Sequence, residues 1–207
     1  MLTHMRSATV KRVPAPERRE RIVVAAMKCF AGRGFEGTTT RMLARAAGVS
    51  EGLIFRHFPT KRSLYRAIIS RRIEEPPAGL MPAEAAERGD DRAVLTSIAS
   101  TLVARVDRDP SFMRLMFFSA LEGAPLARMF YEERLRKVRS FLASYLERRM
   151  NEGALRVMDP VAASGAFMGM ISNYVQQKHL FRVPVSSLPV DRLVRSWVDL
   201  FLGGLKR

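Results

Sequence analysis

Thr38-Thr39-Thr40-Arg41-Met42-Leu43-Ala44-Arg45-Ala46-Ala47-Gly48-Val49-Ser50-Glu51-Gly52-Leu53-Ile54-Phe55-Arg56-His57-Phe58 decides the fold of this chain of 207 residues. Ala44 is small enough to let a second helix pack close. Gly48, four residues later, can take the positive φ that two steeply crossed helices need between them, and Ile54 fills the angle they make. The threonine run supplies an N-cap for the first of these helices and Ser50 caps the second. The spacing predicts a helix-turn-helix, a unit whose second helix enters the major groove of DNA.

Working outward, Ile22, Ala26, Cys29 and Phe30 share one face of a preceding helix, read from about Glu17 to Gly32 and ended by Gly32 and Gly34. After the block, Thr60 caps a further helix that runs to about Glu75, where Pro76-Pro77, Gly79 and Pro82 stop it. Residues 1–16 read as a mobile basic arm and 17–75 as a DNA-binding head that includes a linking helix, 60–75. Residues 76–207 read as a helical body for ligand binding and dimerisation. Within it, helical patterns recur at Asp91 to Arg108, Pro110 to Glu122, Pro125 to Glu152, Pro160 to Phe181 and Pro189 to Leu205. Each opens at or near a proline or aspartate, and no period-two alternation suggests strands. The expected class is all-α.

Charge placement agrees with this division. The net charge is +15, yet residues 1–73 hold 16 Lys/Arg against 4 Asp/Glu, a balance of +12, while the remainder carries only +3. A basic head on a nearly balanced body is the electrostatic footprint of polyanion binding, and the asymmetry argues against a uniform arginine bias. A membrane-surface role would need a free apolar face opposite the basic one, but the first helix's apolar face is claimed by the helix-turn-helix core. The single cysteine, Cys29, cannot form an internal disulfide, and its place on the first helix makes it a packed thiol. No Cys/His cluster has metal-ligand spacing, no cofactor motif occurs, and the start of the chain has no apolar leader. The expectation is a cytoplasmic, non-enzymatic protein with no metal and no cofactor.

The helix ending Cys29-Phe30-Ala31-Gly32-Arg33-Gly34-Phe35, the threonine run, Ala47-Gly48-Val49-Ser50 and the Phe55-Arg56-His57-Phe58-x-x-Lys61 stretch together resemble the TetR family of bacterial repressors over roughly residues 17–70. Beyond residue 75 the likeness is one of length and helical layout. The resemblance implies that Thr39, Thr40 and Ser50 hold phosphates, that Arg41 reaches a guanine edge, and that His57 and Lys61 touch the DNA backbone. Arg is suited to bidentate contact with guanine O6 and N7. The first turn of the recognition helix presents Glu51, Gly52 and Leu53 to the groove floor. Two positions depart from the family pattern. Phe55 replaces a tyrosine, keeping the aromatic packing but losing the phosphate-binding hydroxyl, and Leu53 replaces a small polar residue. Base readout therefore leans on Arg41, Glu51 and Arg56.

In the body, Phe112, Met113, Met116, Phe117, Phe130 and Met170 are candidates to line a cavity for a small apolar effector, with Asn173 and Gln177 to orient it. The bland reading of such a stripe is plain core. The last two helices are apolar over more than one face, and Gly165, Gly169, Trp197 and Phe201 are candidate dimer contacts, two helices from each subunit forming a four-helix interface as the resemblance also implies. The function expected is a ligand-responsive regulator, a homodimeric repressor on a pseudo-palindromic DNA operator. The alternative is a ligand-free or architectural DNA-binding dimer.

Overall fold

The computed structural model describes residues 14–74, 79–122 and 125–205, whose regular elements are all helical. The head comprises α1 (Ala15–Arg33), α2 (Thr40–Ala47), α3 (Glu51–His57) and α4 (Lys61–Glu74). The body comprises α5 (Ala83–Glu87), α6 (Asp91–Arg108), α7 (Ser111–Leu121), α8 (Pro125–Phe130), α9 (Arg136–Asn151), α10 (Pro160–Val175) and α11 (Val190–Leu205), with π-helical turns at Tyr131–Leu135 and Gln176–Phe181. Residues 1–13 of the expected arm and the Pro76-Pro77 break lie outside the described residues. No helix among the described residues is long and apolar enough to cross a membrane.

Local chemistry sets these boundaries. The first helix begins at Ala15, earlier than Glu17, because Pro16 falls in its first turn, where a missing N–H costs no hydrogen bond. Thr39 is the N-cap of α2, its hydroxyl accepting the Met42 N–H at 3.3 Å, and Gly48 closes that helix at φ 65°. Ser50 caps α3 through the Leu53 N–H at 3.2 Å. Thr60 and Ser63 form a reciprocal capping box at the start of α4, with side chain to backbone distances of 3.0 and 3.1 Å. The hydroxyl of Thr38 is buried and donates to the Gly34 carbonyl at 2.7 Å, so of the three threonines Thr38 is a core residue, Thr39 the cap and Thr40 the first residue of α2. In the body, Asp90 receives the Ala93 N–H and Asp159 receives those of Val161 and Ala162, which starts α6 and α10 where the sequence placed them.

Among the described residues, the buried apolar side chains form two clusters. The body cluster joins α6, α9, α10 and α11 through Leu95, Ile98, Leu142, Leu146, Phe167, Val198 and Leu202. The head cluster gathers Ile22, Phe30, Leu43, Ile54, Phe58, Tyr65 and Ile68, with the Phe30 and Tyr65 rings edge to face at 4.8 Å. It also takes in Phe112, Leu115 and Met116 of α7. Head and body are therefore joined by α7 as well as by the linking helix. Helix α7 is apolar on more than one side, and one of its faces completes the head.

Polar ties reinforce that seam. Arg114 Nε donates to the Ala31 carbonyl at 3.2 Å, and both Glu122 carboxylate oxygens accept the Phe35 N–H at 3.1 Å. The Tyr65 hydroxyl, its pKa raised to about 12 chiefly by burial, points at the Leu115 carbonyl at 3.5 Å. The Arg114 guanidinium also donates through Nη1 to the His179 backbone carbonyl at 3.5 Å, and the His179 ring meets Asp107 at 2.6 Å. Burial alone would raise the Asp107 carboxyl. Hydrogen bonds from Lys178, His179 and Tyr174 more than offset it and hold the group below its ordinary value.

The long patterns at 125–152 and 160–181 are not uninterrupted α-helices. Each contains a π-helical turn, which inserts residues into the helical register and re-aims the side chains near it. The short α5, lying in the acidic Ala-rich stretch, was not expected either.

Candidate nucleic-acid interface

Helices α2 and α3 meet through the left-handed turn at Gly48, and Ile54 is buried where they cross. Burying Ile54 turns the opposite side of α3 outward, so that Glu51, Gly52, Phe55 and Arg56 are exposed and Leu53 and His57 partly so. Arg41 is exposed on the first turn of α2. A Cβ added at Gly52 would meet nothing within 4 Å, so no intramolecular packing calls for a glycine there. A bare backbone on this first turn allows close approach by a ligand.

The hydroxyl groups are not equivalent. Thr39 and Ser50 accept backbone N–H groups as caps, which leaves each its own O–H as a donor toward a phosphate beside the positive helix end. Thr40 instead donates to Glu51 Oε2 at 2.7 Å, tying α2 to the start of α3 and fixing the direction of that carboxylate. Lys61 donates to the Phe35 carbonyl at 2.7 Å and the Thr38 carbonyl at 3.1 Å, with its ammonium 4.2 Å from the centre of the Phe35 ring. An ammonium has three donors, so at most one remains for a phosphate. Its first task is to hold the α1–α2 connection.

Phe55 does not keep the aromatic packing expected of it, being 44% exposed. Phe58 is the ring that enters the head core, and the Arg19 guanidinium lies over it at 4.9 Å. Residue 55 lies one position beyond the buried Ile54 on a helix of seven residues, so its side chain turns off the core face.

A cavity of about 90 Å³ lies between α6, α7, α8 and the first π-helical turn. Phe112, Met113 and Phe130 are in its wall, as the sequence suggested, together with Leu102, Val106 and Leu135. The other candidates lie elsewhere. Met116 is buried in the head cluster, Phe117 is partly buried on α7, and Met170 packs against the body cluster. Gln177 donates to Asn173 at 2.9 Å on α10, and neither is in the wall. The polar wall residues Arg105, Asp109 and Arg134 were missed. Arg134 stands in the charged run Glu132 to Lys137, which reads as a solvated face, and only the π-helical turn brings it inside.

Of the four dimer candidates, three already have work within the chain. Gly165 lies against Arg139 of α9, Trp197 packs edge to face on Tyr174 at 5.6 Å, and Phe201 meets Phe167 at 5.1 Å. Gly169 faces outward with nothing within 4 Å of a Cβ built there. Near it on the outer surface of α10 are Ala162 and Ala166.

Comparison with known proteins agrees with this geometry. Residues 22–68 match the family of bacterial regulatory proteins named for TetR, and residues 93–204 match the C-terminal domain of AefR-like transcriptional repressors. The transcriptional repressor AcnR of Corynebacterium diphtheriae is 30% identical over 145 residues, covering 70% of this chain and 71% of its own. The transcriptional regulator YvkB of Bacillus subtilis is 24% identical over 186 residues, 90% of this chain and 96% of that one. Among solved structures, PfmR of Thermus thermophilus superposes with a TM-score of 0.67 at 24% identity, covering 90% of this chain and all of its own. AibR, crystallised with isovaleryl coenzyme A and operator DNA, gives 0.67 at 22% identity, covering 89% of this chain and 98% of its own. With both halves of the chain matched and the helix-turn-helix in place, the chain belongs to the TetR family and is a DNA-binding transcriptional regulator.

Proposed function

We propose that the chain is a ligand-responsive repressor that binds a pseudo-palindromic operator as a homodimer and is released when a small, largely apolar molecule fills the body cavity. One observation carries this reading: Phe112 is at once a wall of the cavity and a member of the head's buried cluster. Phe130, also in the wall, packs edge to face on Phe112 at 4.8 Å. A molecule entering the cavity presses on residues that position the DNA-binding head. Two heads must meet successive major grooves about 34 Å apart, so a small displacement of each weakens binding to both half-sites. The architectural alternative gives no reason for a cavity at this seam.

Filling the cavity with a side chain tests the coupling without a ligand. Val106 is partly buried in the wall, and Val106→Phe places a ring in the space. Operator affinity should fall by about 5- to 150-fold, the usual range of allosteric coupling, with the melting temperature preserved. The operator is the fragment that the wild-type protein selects from a random duplex library. Unchanged affinity in a folded Val106→Phe variant would remove the release mechanism and favour the architectural reading.

A second expectation concerns readout. Arg41→Ala should weaken operator binding by roughly 1–3 kcal/mol while leaving binding to random duplexes nearly intact, as for a guanine-reading side chain. Equal losses on both DNAs in fluorescence anisotropy would make Arg41 a phosphate contact instead.

A further inference from the structure

Glu51 is out of keeping with its surroundings. Residues 1–73 carry a balance of +12, yet this carboxylate stands exposed on α3 beside Gly52, Phe55 and Arg56, on the side turned away from the buried Ile54. Among the described residues it has no ion-pair partner, and the one hydrogen bond of its side chain is that which Oε2 accepts from the Thr40 hydroxyl at 2.7 Å. A carboxylate carried between two rows of phosphates lowers affinity for every sequence unless a base supplies it with a donor.

The major groove offers two such donors, cytosine N4 and adenine N6. Adenine N6 lies between two acceptors, its own N7 and thymine O4, and a carboxylate has only acceptors to set against them. Cytosine N4 has an acceptor, guanine O6, on one side alone. Cytosine is therefore the base that a carboxylate fits.

Thr40 sets the direction of this group. A hydroxyl has a single hydrogen, and that of Thr40 is given to Glu51, so it does not serve a phosphate while the bond is made. Thr40 opens α2 and Glu51 opens α3, so the bond spans the turn at Gly48 and holds a long side chain in place, with Oε1 left to accept. Ordering the side chain before DNA arrives reduces the entropy lost on binding. We propose that Glu51 specifies a cytosine in each half-site by accepting its N4–H, and that Thr40 is a positioning residue for that carboxylate and not a phosphate contact. The assignment rests on reading the chain as an operator-specific regulator and adds one base of the operator to it.

Selection from a random duplex library by the full-length protein and three variants tests the assignment. Glu51 is exposed and Thr40 partly so, and thermal melting verifies that each variant folds. Glu51→Gln carries an amide that matches adenine N6 and N7, so at one position of each half-site the preferred base should change from cytosine to adenine, by about tenfold in relative affinity. Glu51→Ala should accept any base there and bind random duplexes more tightly than wild type, because a charge that the phosphates repel is gone. Thr40→Val, equal in shape, should relax the cytosine preference severalfold with little change on random duplexes, whereas loss of a phosphate contact weakens all sequences alike. N4-methylcytosine at the selected position identifies the atom. Its remaining N4 hydrogen pairs with guanine, so the methyl group occupies the place where the carboxylate accepts. Wild type should lose about tenfold in affinity and Glu51→Ala nothing.

An identical operator for wild type and both Glu51 variants would overturn the proposal. So would equal losses by Thr40→Val on operator and random DNA, or an equal N4-methyl penalty in wild type and Glu51→Ala. If wild type enriches no sequence, the operator-specific reading and this assignment fail together. If the base changes as expected while Val106→Phe leaves operator affinity intact, the cytosine assignment stands and the release mechanism fails.

Discussion

Gly169→Glu is expected to leave the chain folded and to abolish specific operator binding. Gly169 is exposed on α10 and a Cβ there meets nothing within 4 Å, so a single chain has room for the new side chain. Replacing a helical glycine gains about 0.5–1 kcal/mol of backbone entropy, which favours the fold if anything. The proposed dimer behaves differently. Ala162, Ala166 and Gly169 give α10 an outer surface on which another helix can approach closely, and Val161 and Leu200 expose apolar side chains, at 59% and 68%, on α10 and α11. In a twofold interface each substitution occurs twice, and each buried, unpaired carboxylate costs several kcal/mol. A separated subunit reads one half-site. Affinity then falls from the specific range of about 10⁻⁸–10⁻¹¹ M toward the non-specific range of about 10⁻⁴–10⁻⁶ M. Light scattering reports the oligomeric state, thermal melting the fold, and anisotropy on the selected operator the affinity. Gly169→Ala serves as the control that keeps the surface small. A Gly169→Glu protein that remains dimeric and operator-bound would place the interface on another face.

How far the sequence could be read follows from how local each determinant is. The head was legible because its elements are set by short-range chemistry: Ser50 and Thr39 cap, Gly48 turns, and Ile54 fills the crossing, each acting within a few residues. The same holds for the starts of α6 and α10, where Asp90 and Asp159 accept the first free N–H groups. What was not legible depends on partners distant in sequence. Ser111 to Leu121 reads as an apolar helix, but nothing in its pattern assigns Phe112, Leu115 and Met116 to a cluster that begins some ninety residues earlier. Lys61 matches a DNA-contact position in a motif, whereas its contacts with Phe35 and Thr38 exist only once α1, α2 and α4 have met. The π-helical turn at Tyr131–Leu135 has no periodicity signal, and so nothing in the sequence distinguishes the buried Arg134 from its charged neighbours.

The seam itself gives the second large effect. Gly34→Ala is expected to destabilise the protein by about 2–4 kcal/mol, lowering the melting temperature by roughly 5–15 °C for a chain of this size. Gly34 closes α1 at φ 71° and ψ −179°, a region that is essentially restricted to glycine, where another residue costs about 1–3 kcal/mol. Its Cβ would also overlap Glu122 Oε1 and crowd the Phe118 ring at 3.2 Å. The Glu122 side chain can move aside, but only by leaving the Phe35 N–H that both its oxygens accept. Because that hydrogen bond is exposed, water can replace the carboxylate, which places its loss near the low end of the usual range, about 1 kcal/mol. Glu122→Ala separates the two contributions, since it removes the latch and leaves the glycine backbone unstrained. With the overlap gone, the double variant should be more stable than the sum of the single losses predicts, by about 1 kcal/mol. Strict additivity would mean that Glu122 yields without cost and does not hold head to body. The same variant bears on regulation. If the α7 seam carries the signal, Glu122→Ala should shrink the loss of operator affinity caused by Val106→Phe, because a head freed from α7 no longer follows the cavity wall. An undiminished loss would assign the coupling to Phe112 and the apolar face of α7 alone.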